Sequence, residues 1–223
     1  MNRSLRTVFK AAAAATLLLA STASAATNPI TLRFESKAAV ATGATPGKPV
    51  KFFAVSNDSQ EYFADIRRIE AVVIASAEGT ARLDVEAGVA GRAVWFAVDV
   101  HAGEYAVASP GGFALRRLAW PTEMLETKHA TRGDVLNIPF PEADVAIVRH
   151  DGSSWSVKAT KGARHDLDGK VTGRRMLLAP SSLKKRSGDG DPTLTELRDK
   201  DLLIVVDPYS LVFFAGTIKR EAK

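Results

Sequence analysis

The 223-residue sequence has no cysteine. That excludes disulfide scaffolds, thiolate zinc sites, iron–sulfur clusters, thiol nucleophiles and lipidation at cysteine. Aromatic residues are sparse at 7%, with three tryptophans, which leaves little for the interleaved aromatic and basic surface of a single-strand nucleic-acid binder. No apolar run approaches the roughly 20 residues of a membrane-spanning helix. Phosphate-cradling glycine motifs, the G-x-S-x-G nucleophile elbow and the H-E-x-x-H metalloprotease pair are all missing. These gaps weigh against catalysis, and no stretch carries a family signature. What is present, 46% hydrophobic and 25% charged residues, is the composition of a folded chain large enough to bury a real core.

The strongest local signal is N-terminal. Arg3, Arg6 and Lys10 precede the short apolar stretch Ala11–Ala20, and Ala23-Ser24-Ala25 fits the small-x-small rule of signal peptidase. The sequence therefore predicts a bacterial-style signal peptide over residues 1–25, cleavage before Ala26, and a periplasmic or extracellular product. A cysteine-free chain suits such an oxidising compartment.

Removing the leader takes three basic residues from the net charge of +5. Residues 26–157 hold 13 basic and 16 acidic residues, and residues 187–223 hold five and seven. Residues 158–186 hold nine basic residues against Asp166 and Asp168. Basicity is thus one band, made of Lys158, Lys161, Arg164, Lys170, Arg174, Arg175, Lys184, Lys185 and Arg186. If these converge on one face they would attract an anionic polymer or surface. The plainer alternative is a solvated sheet face whose Lys and Arg guard edge strands. Nucleic acid is not the expected partner.

From Thr27 onward the periodicity is mainly that of strands. Strands are expected at Ile30–Phe34, Val50–Val55, Ala81–Val85, Arg92–Val100, Glu104–Ala108 and Phe113–Leu118. More follow at Val135–Ile138, Ala143–Arg149, Trp155–Ala159, Arg174–Leu178, Leu202–Val206 and Leu211–Ile218. Gln60–Ala77 mixes helical spacing with the β-branched Val72-Val73-Ile74, and strand is favoured there. A short helix is expected within 119–132 and another over Thr193–Lys200, where Thr193 and Glu196 imitate a capping box. Pro180–Asp191 reads as a long polar loop. The fold class expected is all-β, mainly antiparallel, as two sandwich-like or small-barrel modules with one or two short helices. The division expected is 26–118, a linker at 119–132, and 133–223.

Two His–Asp pairs, His150-Asp151 and His165-Asp166, stand 15 residues apart. Imidazole nitrogen with carboxylate oxygen would suit a divalent ion, or a general base. Asp-Gly turns at hairpin ends explain the same residues more simply. Asp189-Gly-Asp191 fails the calcium-loop template at Pro192 and Thr193. Arg132-Gly-Asp134 reads as a turn. Trp95 lies in a continuous apolar run and belongs to the core, while Trp120 and Trp155 are better placed for a surface role, with packing still favoured. The resulting expectation is an exported, non-catalytic binding or structural module of the cell envelope, without a cofactor, whose partner is an anionic envelope polymer or a protein. The alternative is a metal-dependent hydrolase centred on His150, Asp151, His165 and Asp166.

Overall fold

The computed structural model describes residues 29–57, 66–85, 91–119, 125–126, 135–159, 163–165, 167–177 and 197–219. In chain order the strands are β1 (Thr31–Glu35), β2 (Ala38–Thr42), β3 (Pro49–Asn57), β4 (Ile66–Ile74), β5 (Ala81–Asp84), β6 (Ala93–Asp99) and β7 (Glu104–Ala108). After a 3-10 turn at Pro110–Gly112 come β8 (Leu125–Glu126), β9 (Val135–Ile138), β10 (Ala143–Val148), β11 (Ser154–Ala159), β12 (Ala163–His165), β13 (Val171–Leu177), β14 (Leu202–Val206) and β15 (Phe213–Thr217). They form four sheets: A, in the order β1-β2-β5; B, β4-β3-β6-β7; C, β11-β10-β14-β15; and D, β12-β13-β9-β8. Every strand ladder is antiparallel. The all-β expectation holds.

Strand alternation explains how the sheets stack. In β6, Trp95 and Ala97 join Phe52 and Ala54 of β3 in a core against sheet A. The intervening Val94, Phe96 and Val98 join Phe53 and Val55 in a second core, against Ala146, Ile204, Val206, Phe213 and Ala215 of sheet C. The other faces of β10, β14 and β15 present Val145, Ile147, Leu203, Val205 and Phe214 to Leu136 and Ile138 of sheet D. The four sheets thus lie in the order A, B, C, D, and B and C are covered on both faces. This is why β6, β10 and β14 are mostly apolar and buried at every position, whereas β1 in the outer sheet A alternates.

Polar groups stitch the middle seam. Asn57 Nδ2 donates to the carbonyls of Pro208 and Tyr209, both at 3.2 Å, and Tyr105 Oη donates to Ala215 O at 3.1 Å. Arg68 of β4 reaches Asp144 of β10 as an ion pair. Burial pushes the Asp144 carboxyl above its ordinary value, and the Arg68 guanidinium opposes this without overcoming it. Asp99 ends β6 and fixes the neighbouring turns. It accepts from Thr45 N at 2.6 Å, Thr45 Oγ1 at 2.7 Å, His101 N at 2.9 Å and Ala102 N at 3.0 Å. Burial pushes this carboxyl upward, but those donors together hold it below the usual value.

Three expectations change. Phe113–Leu118 is not a strand: Leu118 N bonds to Phe213 O at 2.8 Å and Phe213 N to Arg116 O at 3.1 Å, so the segment flanks β15 through one isolated parallel bridge. Within 119–132 the described residues Leu125–Glu126 are a strand paired with Val135–Leu136, the ladder overriding helix propensity. At the other expected helix, residues 197–200 form a turn closed by Asp201, whose N–H meets Arg198 O at 3.1 Å. Residues 1–25, 60–65, 180–191 and 193–196, Trp120 and Arg132-Gly-Asp134 lie outside the described residues. No helix among the described residues is long and apolar enough to cross a membrane.

Candidate functional site

One end of the middle seam gathers the β6–β7 hairpin, the β10–β11 turn and the turn before β14. Arg149 donates from Nε to Asp201 Oδ1 at 2.9 Å and from Nη2 to Oδ2 at 2.8 Å. Arg198 N donates to the same Oδ2 at 2.8 Å. The guanidinium also lies 5.0 Å above the Trp155 ring, an arrangement that suits the planar cation of arginine. Trp155 is 2% exposed, so it packs under Arg149 instead of presenting its face to a ligand. A recess beside Arg149 has a floor of Val98, Val148 and Leu202, with His150 and Lys200 at its rim, and holds about 10 Å³. That is room for about one water and for no organic ligand.

His150 is exposed, and its ring covers Gly103 in the β6–β7 hairpin. Gly103 has φ +70°, and a Cβ placed there would stand 2.5 Å from His150 Cε1. The substitution Gly103→Ala is expected to lower stability by about 1–2 kcal/mol through the left-handed backbone and the displaced ring. Adding His150→Ala should recover the ring's part of that loss, as read from urea midpoints. No recovery would mean that the imidazole does not cover this turn.

Asp151, beside His150, accepts Ser153 N at 2.8 Å in a tight turn. Burial raises its carboxyl, but the Ser153 donors and the charges of Arg149 and Arg198 together bring it below the ordinary value. His165 belongs to β12 in sheet D, and Asp166 lies outside the described residues. His150 thus follows β10 of sheet C, whereas His165 ends β12 of sheet D. Among the described residues no three His, Asp or Glu side chains come together to hold a metal.

The basic band follows three successive strands. Lys158 lies on β11, the edge of sheet C; Arg164 on β12, the edge of sheet D; and Arg174 and Arg175 on β13 beside it. Lys170 is exposed in the β12–β13 turn. Lys161, Lys184, Lys185 and Arg186 lie outside the described residues. Lys158 is paired with Glu142 at 3.3 Å, and Glu142 also accepts from Tyr209 Oη at 3.1 Å. The sequence reading missed Asp201 and Asp144, the acidic groups that neutralise Arg149 and Arg68. The available signal was a carboxylate just before or just inside an apolar run, at Asp201-Leu202 and Ala143-Asp144-Val145.

No family model matches the sequence, and no curated protein matches it. Among solved structures the chain is similar to one described as "Crystal structure of tetra-tandem repeat in extending region of large adhesion protein", at 12% identity and a TM-score of 0.24. The match covers 85% of this chain and 48% of that one, so the chain spans about half the length of the structure it matches. A likeness this slight fixes neither fold nor function.

Proposed function

We propose that the chain is an exported, non-catalytic binding or structural module of the bacterial cell envelope, and that residues 158–186 meet an anionic polymer or surface. The observation that carries this reading is the run of band positions along β11 and β12, the edges of two adjacent sheets, and β13 beside β12. The leader-like N-terminus and the missing catalytic motifs support it. Among the described residues no three His, Asp or Glu side chains gather to hold the ion that the hydrolase alternative requires.

Long-chain polyphosphate serves as the probe. Binding should weaken steeply as the Debye length shrinks from about 30 Å at 0.01 M salt to about 10 Å at 0.1 M. It should be lost when Lys170, Lys184 and Lys185 are all changed to Glu. Binding that ignores salt, or that survives the charge reversal, would refute the contact.

A further inference from the structure

We infer that β4 is a self-pairing edge, through which two copies of this chain join their B sheets into one continuous sheet. β4 spans nine residues and, among the described residues, pairs only with β3. The other sheet edges are shorter or guarded. β5 and β8 have four and two residues. β12 has three and a register irregularity at Arg164/His165. β15 is flanked by residues 116–118. β4 carries no proline, lysine or bulge to blunt its open edge, and its charges are Arg67, Arg68 and Glu70. Val72 and Ile74, both β-branched, are 60% and 61% exposed near its end.

Charge complementarity selects the occupant and the register. Directly opposed residues of an antiparallel pair share a face, so a two-fold axis must pass through one residue of β4. Through Glu70, it would set two glutamates against each other. Through Ala71, it would set Glu70 against Val72 and Arg68 against Ile74. Through Ile69, it places Arg68 opposite Glu70 of the second copy, Ile66 opposite Val72, and Arg67 opposite Ala71. In that register, on the face shared with sheet C, Arg68 and Glu70 each meet the opposite charge and Ile66 meets Val72.

The neighbouring groups extend the pattern. Glu70 stands 3.8 Å from Lys51 of β3, and Arg68 holds Asp144. Across the axis the signs then alternate from Lys51 to Glu70, to Arg68 of the second copy, to its Asp144, and the symmetry repeats the series. Arg68 is 24% exposed and uses Nε for Asp144. Glu70 of the second copy would offer that guanidinium a further carboxylate.

Sedimentation equilibrium of the full chain tests this. The wild type should sediment as a dimer. Val72→Lys, at an exposed position, should weaken the dimer about tenfold or more while circular dichroism and the melting temperature stay the same. Because the chain has no native cysteine, Arg67→Cys combined with Ala71→Cys reports the register: a disulfide-linked dimer should form without reductant, whereas neither cysteine alone should give one. A wild type that stays monomeric at high concentration, a dimer that Val72→Lys leaves intact, or a dimer in which the cysteine pair does not cross-link would each overturn the inference.

Discussion

Replacing Phe96 by alanine should lower stability by about 3–5 kcal/mol and should do so for all four layers together. Phe96 is fully buried at the middle of β6. Its ring lies 6.1 Å from Phe53, 6.4 Å from Tyr105 and 5.3 Å from Phe213, the last edge-on at 84°. Phe213 belongs to sheet C, so the lost contacts bridge the two halves of the chain. Both flanking sheets are themselves packed from behind and relax little into the space left, which favours the upper part of the range. Two tryptophans supply separate probes, Trp95 in the core between A and B and Trp155 in the core between C and D. In urea their fluorescence transitions should move down together. A variant that shifts the Trp95 transition alone would show that the middle core does not couple the halves.

Arg149→Met should have an effect of similar size, about 3–5 kcal/mol, by stranding a buried carboxylate. Asp201 is 1% exposed and takes both arms of the Arg149 fork. Without the fork it retains the Arg198 N–H in a turn where Lys200 already adopts φ 66°. Methionine preserves most of the packing over Trp155, so the loss reports the charge. Asp201→Asn placed in the Arg149→Met background should recover a good part of it, because a neutral amide is easier to leave in that site. A double-mutant cycle in denaturant measures this coupling. A single-variant loss under about 1 kcal/mol would mean that the pair contributes no more than a surface ion pair does.

The strands easiest to read from sequence were those buried on both faces. Leu202–Val206 matches β14 to the residue, and Arg92–Val100 brackets β6, because a β-branched and aromatic run between turn residues has few other readings. The ambiguous stretch Gln60–Ala77 contains β4 at Ile66–Ile74, where cross-strand pairing with β3 outweighs the helical spacing of Ile66, Ile69 and Val73. β2 escaped notice. Ala38-Ala-Val-Ala-Thr42 has weak strand propensity, and its outer face is buried by neighbours: Arg33 and Arg82 stand on either side of Val40. β12, three residues long, was hidden in what reads as a turn-rich His–Asp segment. For the candidate site, sequence gave the residue types of the β10–β11 turn but not their partners. Arg149 looked like a flank of the His–Asp pair, yet it serves Asp201, some fifty positions away in sequence. No local pattern encodes such a contact.

The layer order also dictates when the chain can finish folding. Sheets A and B need only residues up to Ala108, and their ladders close early as the chain lengthens. The far side of B then presents Phe53, Val55, Val94, Phe96 and Val98 with nothing to cover them. Their cover includes Leu202, Ile204, Val206, Phe213 and Ala215, and β14 sits inside sheet C between β10 and β15. The lid on the first half is therefore written into strands synthesised well after it, and closing it means pairing Val148 with Leu202 across the stretch that carries β11, β12 and β13. Until then a growing chain carries an adhesive apolar wall, so a holding chaperone, or delay of folding until the whole chain is available, would favour the native stack over aggregation.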